Sequence, residues 1–194
     1  QHDSLAHDIL ENLGGYDANN LDKIINSNLD ENEIQTLTLS PYYDLNGMIN
    51  VFKQERNNFI TLSLNCQSIH AKIDKIKSLF QAFSNHNIKI SALCIQESWL
   101  NSDADLGLIQ LQGYECISQG KSSSEHGGLI TYIHKMFKHS VKSYDDYSKD
   151  LWESQLIEVS GNALEKKITI GNIYRPPRNA KSTKQFRIEF SRLL

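Results

Sequence analysis

The residues of this sequence best placed to do chemistry stand where apolar runs stop. Ala92-Leu93-Cys94-Ile95 ends at Gln96 and Glu97, and Ser98, Trp99 and Leu100 follow. A short apolar run bounded by polar residues predicts a strand buried on both faces. A carboxylate just past its C-terminal end stands at the sheet rim, where α/β folds gather ligand chemistry. The same residue in the same place is also the point where a buried chain returns to water, and Glu97 alone does not decide between the two. Three further features fall at strand boundaries: Leu64-Asn65-Cys66-Gln67-Ser68, His126-Gly127-Gly128-Leu129 and Gly171-Asn172-Ile173-Tyr174-Arg175-Pro176-Pro177. Taken one at a time, Asn65 either caps a turn or faces a ligand. Tyr174 is either an aromatic at the core edge with its hydroxyl in water or part of a site. His126 reads as a surface histidine rather than a general base.

Periodicity says which elements must position these residues. Phe59–Leu64 alternates β-branched and aromatic residues with smaller ones, as a strand does. Ile69, Ile73, Ile76, Leu79, Phe80 and Phe83 recur at steps of three and four with Lys72, Asp74, Lys75 and Lys77 between them, which predicts a helix. Lys89–Gln96 returns as a strand. Strand, helix, strand is a βαβ unit, and such units are right-handed almost without exception. With the two strands parallel, Asn65 and Glu97 share one edge of the sheet. Beyond Glu97, strand-like runs at Tyr114–Ser118, Gly128–Ile133, Ser140–Tyr144, Gln155–Val159 and Lys167–Tyr174 predict an antiparallel meander, giving one mixed sheet with a helix on its outer face. Ser182–Leu194, with Phe186, Phe190, Leu193 and Leu194 at helical spacing, predicts a second covering helix capped by Ser182.

Charge divides the chain. Residues 1–57 hold ten Asp/Glu against three Lys/Arg, a balance of −7, whereas the remainder is at +4. The first 40 residues are rich in Asn, Asp and Ser, with weak helical patterns at Leu5–Leu13 and Leu21–Ile25, and read largely as a flexible leader. Leu45–Lys53 reads as a short helix leading into a domain over 58–194. No apolar stretch is long enough to cross a bilayer, so no membrane partner is expected. Cys66, Cys94 and Cys116 lack metal-site spacing and read as reduced thiols of an intracellular protein, Cys94 in the core. The chain begins with Gln and has no basic-then-apolar leader, and it reads as an excerpt of something longer.

In this order, each at a strand boundary, the four features resemble the N-terminal part of the endonuclease/exonuclease/phosphatase superfamily, with its deoxyribonuclease I-like fold. The closest resemblance is to the apurinic-type endonuclease domains at the front of LINE-like, non-LTR retrotransposon polyproteins. There an L-N-x-x-S element, a helix, an x-E-[ST]-W-L element, a Gly-Gly strand and a Y-R-P-P element follow one another. The Ser40-Pro41-Tyr42-Tyr43-Asp44 segment is similar to the leader of such elements, and the resemblance runs from about Ser40 to the end. It implies an α/β fold, a four-layer sandwich of two mixed sheets between outer helices, of which this chain holds the N-terminal part. It also implies a Mg²⁺-dependent endonuclease (Mn²⁺ as a substitute) that acts on DNA in the nucleus, with a reverse transcriptase in the same polypeptide of full-length relatives. Mg²⁺ takes oxygen ligands, keeps several waters and is often held by one or two carboxylates with the substrate phosphate, so one Glu at a strand end suffices. By the resemblance Glu97 is the metal ligand, Asn65 orients metal and phosphate, and Tyr174 bonds the scissile phosphate or assists the nucleophile. Five cations stand at every third residue from Arg175 to Arg187, which reads either as a solvated helix end or, for Arg175 and Arg178 nearest the site, as contacts to DNA phosphates.

The superfamily also uses an Asp and Asn from a G-D-F-N-like element and a later Asp-His pair that activates water, and neither follows Tyr174 here. The expectation is therefore a truncated nuclease domain, inactive as given, with the inner face of its first sheet bare and prone to self-association. Two other readings remain: a catalytically dead relic acting as a binding module, and a phosphodiesterase or phosphatase of the same fold with another substrate.

Overall fold

The computed structural model describes residues 43–100, 106–119, 127–142, 152–161 and 164–175, together with 186 and 190. The chain divides into two compact units, Gln1–Gln54 and Glu55–Leu194. The described part of the first unit is helix α1, Leu45–Gln54. Asp44 starts it by accepting the Gly47 N–H on its side chain at 2.7 Å and the Met48 N–H on its carbonyl at 2.9 Å, as an N-cap aspartate does. The expected elements before residue 43, His126, Arg178 and most of Ser182–Leu194 lie outside the described residues. Of that last segment Phe186 and Phe190 are described, and both are helical.

The second unit is built on the predicted βαβ core. Strand β1 (Thr61–Asn65), helix α2 (Ile69–Asn85) and strand β2 (Ala92–Gln96) follow one another. β1 and β2 are parallel with Asn65 opposite Gln96, so Asn65 and Glu97 share one rim. Strands β3 (Tyr114–Gln119) and β4 (Leu129–His134) complete a four-stranded sheet in the order β1-β2-β4-β3. Helix α2 seals one face of it: Ile69, Ile73 and Ile76 pack with Leu93, Ile95, Ile130 and Tyr132. These are the alternate residues of β2 and β4, as the two-residue period of a strand requires.

The meander expected after Glu97 does not form one sheet. β5 (Lys138–Val141), β6 (Glu153–Ser160) and β7 (Ile168–Tyr174) make a separate antiparallel sheet in the order β5-β6-β7. The reason lies in β4, which already pairs with β2 on one side and β3 on the other. A strand leaving β4 finds no open edge beside it and must start a new layer. This second sheet also overturns the expected bare face. Ala92, Cys94 and Ile133 of the first sheet pack with Ile157, Val159 and Ile170 of the second in one cluster that also holds Phe137. β6 alternates strictly between buried and half-buried residues, so it brings an apolar side of its own, and the surface expected to drive self-association is covered.

The chain is thus a mixed α/β fold with two sheets, and the described residues give the layers helix, sheet, sheet. Among them no helix is long and apolar enough to cross a membrane. All three cysteines are free, Cys94 buried as expected.

Candidate active site

The inner face of the second sheet changes character along its length. Its paired inward residues run Val159 and Ile168, Ile157 and Ile170, Gln155 and Asn172, then Glu153 and Tyr174. Apolar pairs fill the closed end, and polar pairs arrive at the rim where β2 ends.

Asn172 is the knot between the sheets. It is buried, and its amide nitrogen donates to the carbonyls of Ile95 and Ile130 at 3.2 and 3.1 Å and to the Thr131 hydroxyl at 3.1 Å. Its carbonyl accepts from Gln96 Nε2 at 2.6 Å, and the same nitrogen of Gln96 lies 3.2 Å from Ser63 Oγ. Gln155 adds bonds to Thr131 and, at 3.2 Å, to the Ile117 carbonyl. Buried amides satisfied on both sides fix one registration of the two sheets.

Glu97 stands one residue beyond Gln96, in a loop of unusual backbone. Its φ is +52°, that of Trp99 is +53°, and in the facing loop Gln67 and Ser68 stand at +45° and +92°. Non-glycine residues enter this left-handed region at a cost of about 1–3 kcal/mol each, so neighbours must impose it. Cross-loop bonds do so. Cys66, Ser68 and Ile69 donate their N–H groups to the carbonyls of Gln96, Glu97 and Ser98 at 2.9–3.0 Å, and Ser98 and Trp99 donate to Gly128 and Gly127 at 3.0 and 3.1 Å.

Three of the five predicted site residues meet here. Asn65 Nδ2 donates to Glu97 Oε1 at 2.8 Å. Tyr174 is buried, close enough to Glu97 for the carboxylate to act on its phenol. Burial first, then the Glu97 carboxylate and the negative charge of Glu153, hold the Tyr174 phenol well above its ordinary range, so it keeps its proton near neutral pH. Arg175 follows at the exposed end of β7, its guanidinium 5.3 Å from the centre of the Phe186 ring, which also meets Trp152 edge-on.

The donors at the rim are oxygens: a carboxylate, an amide carbonyl and a phenol. Cys66 Sγ, beside this rim, is buried 3.5 Å from the Glu97 carbonyl oxygen, and burial pushes the thiol up to about 12. Such a set suits a hard cation such as Mg²⁺ and not a thiolate-seeking one. Among the described residues no three His, Cys, Asp or Glu side chains gather as a cage, so a cation here would share its shell with water and a ligand oxyanion.

Sequence reasoning missed Glu153, Gln96 and Asn172. A signal existed for one of them: Glu153 and Gln155 fall on the inward positions of a strand whose next inward residues are Ile157 and Val159.

No family model and no curated protein matches the sequence. Solved structures do. A truncated TDP2 from Caenorhabditis elegans has a TM-score of 0.40 and 17% identity over 64% of this chain and 47% of its own. Two further crystal structures of C. elegans TDP2 give TM-scores of 0.43 and 0.44 at 16% and 15% identity, covering 97% and 98% of this chain. They are covered over 54% and 59% of their own lengths, so this chain spans about half of the structures it is similar to.

Proposed function

We propose that this chain carries the metal-binding, phosphate-facing part of a DNA-cutting phosphodiesterase site, of the endonuclease/exonuclease/phosphatase kind found in LINE-like retrotransposons. The observation that supports it is the meeting of Asn65, Glu97 and Tyr174 at one rim. In this reading Glu97 holds Mg²⁺, or Mn²⁺ in its place, with Asn65 fixing the carboxylate through its amide. The ion, when bound, supplies positive charge to the oxygens of the scissile phosphate. Tyr174 keeps its proton, so it donates a hydrogen bond to a phosphate oxygen and does not act as a base. Arg175 and Arg178 meet backbone phosphates, which hold DNA without reading its sequence. Such a protein works in the nucleus, on the DNA into which an element inserts.

Two measurements on the 194-residue chain test this. Mn²⁺ titration should show an ion bound by the wild type and lost in Glu97→Ala; binding indifferent to that change overturns the reading. Supercoiled plasmid with Mg²⁺ should be bound but not nicked by these 194 residues, among which neither the G-D-F-N-like element nor the Asp-His pair is found. Nicking that vanishes in Glu97→Ala would instead place a water-activating group within this chain. Arg175→Ala should lower the slope of log affinity against log salt by about one phosphate contact.

A further inference from the structure

We infer that Glu153 is the positioning residue of this site: its carboxylate holds the Gly127–Gly128 corner, and that corner holds the loop that presents Glu97. The inference rests on the reading of Glu97 as the central ligand.

Glu153 opens β6 and is 6% exposed. A carboxylate is costly to bury unless hydrogen bonds compensate it. One partner is the Gly128 N–H, which donates to Glu153 Oε2 at 2.6 Å, a short charge-assisted bond. The carboxylate also lies flat against Gly127: a Cβ there would collide with Oε1 and come within 2.9 Å of Cδ. Both glycines take left-handed conformations, φ +102° and +86°, which residues with a Cβ rarely adopt. The corner is therefore shaped to seat this carboxylate.

The corner's two carbonyls face the other way, toward the Glu97 loop. Gly128 accepts the Ser98 N–H and Gly127 accepts the Trp99 N–H. These are the residues directly after Glu97, and Trp99 shares its positive φ. A continuous path thus runs from the Glu153 carboxylate through the Gly127–Gly128 backbone to the residues that set where Glu97 points. Glu153 is also the direct cross-strand partner of Tyr174, so the residue that holds the glycine corner stands beside the strand position that carries the phenol. It needs no contact with a ligand to do so.

Amide hydrogen exchange by NMR on the full chain tests this without requiring any activity. In Glu153→Ala the Ser98 and Trp99 amides should exchange at least about tenfold faster, while Leu93 and Ile95 in β2 stay as in the wild type. In Glu153→Gln, whose amide oxygen still accepts the Gly128 N–H, Ser98 and Trp99 should stay within about threefold of the wild type. A folded Glu153→Ala protein with unchanged Ser98 and Trp99 exchange overturns the inference, as does uniform acceleration that includes β2. If Glu153→Ala does not fold, Gly127→Ala probes the same link by driving a methyl against the carboxylate; the same local acceleration is expected, and wild-type exchange overturns it. Mn²⁺ titration of these variants separates the two readings. Binding weakened about tenfold in Glu153→Ala and rescued in Glu153→Gln supports both. A wild type that binds no Mn²⁺ removes the metal reading, while the exchange data still decide the role of Glu153.

Discussion

Asn65 Nδ2 donates to Glu97 Oε1 across 2.8 Å, joining two side chains 32 positions apart at the ends of parallel strands. The amide thereby fixes one oxygen of the carboxylate and keeps its own carbonyl as an acceptor beside it. Asn65 is exposed, so part of the bond's worth is lost to water. Asn65→Ala should weaken Mn²⁺ binding about fivefold, or roughly 1 kcal/mol, and Glu97→Gln should weaken it far more. Isothermal titration with Mn²⁺ reads both, and an unaltered affinity in Asn65→Ala would remove its orienting role.

Tyr174 should keep its proton through pH 10, where an unperturbed tyrosine is half ionised. In protein labelled with ¹³C-tyrosine, the phenol signal absent from Tyr174→Phe should therefore not shift there. Glu97→Gln removes a negative charge, so the Tyr174 value should fall toward the ordinary one. It should not reach it, because burial is the larger cause. A Tyr174 signal that titrates at 10 in the wild type would show the phenol to be solvated.

Asn172→Ala should be among the most destabilising single changes in this chain. It would strip partners from the carbonyls of Ile95 and Ile130, from the Thr131 hydroxyl and from the Gln96 amide. Stranding such groups costs about 3 kcal/mol in all once Gln96 has relaxed toward Ser63. Urea denaturation should show a lower midpoint at an unchanged slope. Asn172→Asp should be worse still, since it sets a negative charge against two carbonyl oxygens.

His134 links stability to pH. Its Nδ1 accepts the Met136 N–H at 3.1 Å, its ring meets Tyr114 edge-on, and burial, then the charge of Lys89, lowers its pKa below 6.5. The folded state then binds fewer protons than the unfolded one, so this stabilisation is complete above about 6.5. It is lost as pH falls from there toward the folded value. Between pH 7.5 and 5 the urea midpoint of the wild type should drop more than that of His134→Gln, and an equal drop in both would exclude the link.

Much of this arrangement is legible in the sequence because its signals are local. The three-and-four spacing from Ile69 to Phe83 specifies α2, and the apolar run ending at Gln96 specifies β2. A right-handed βαβ connection then leaves Asn65 and Glu97 no choice but one rim. What only the tertiary structure decided is carried by bonds between residues 25 to 77 positions apart, from Glu153 to Gly128 and from Asn172 to Ile95. No local pattern told β5–β7 to leave the first sheet. That followed from β4 being paired on both sides, which depends on sheet order and not on any residue of β5. Because the second sheet folds over the first, Tyr174 reaches Glu97 and Glu153 reaches the glycine corner. Periodicity can name the face on which a side chain lies, but which other face it meets is settled only when the layers pack.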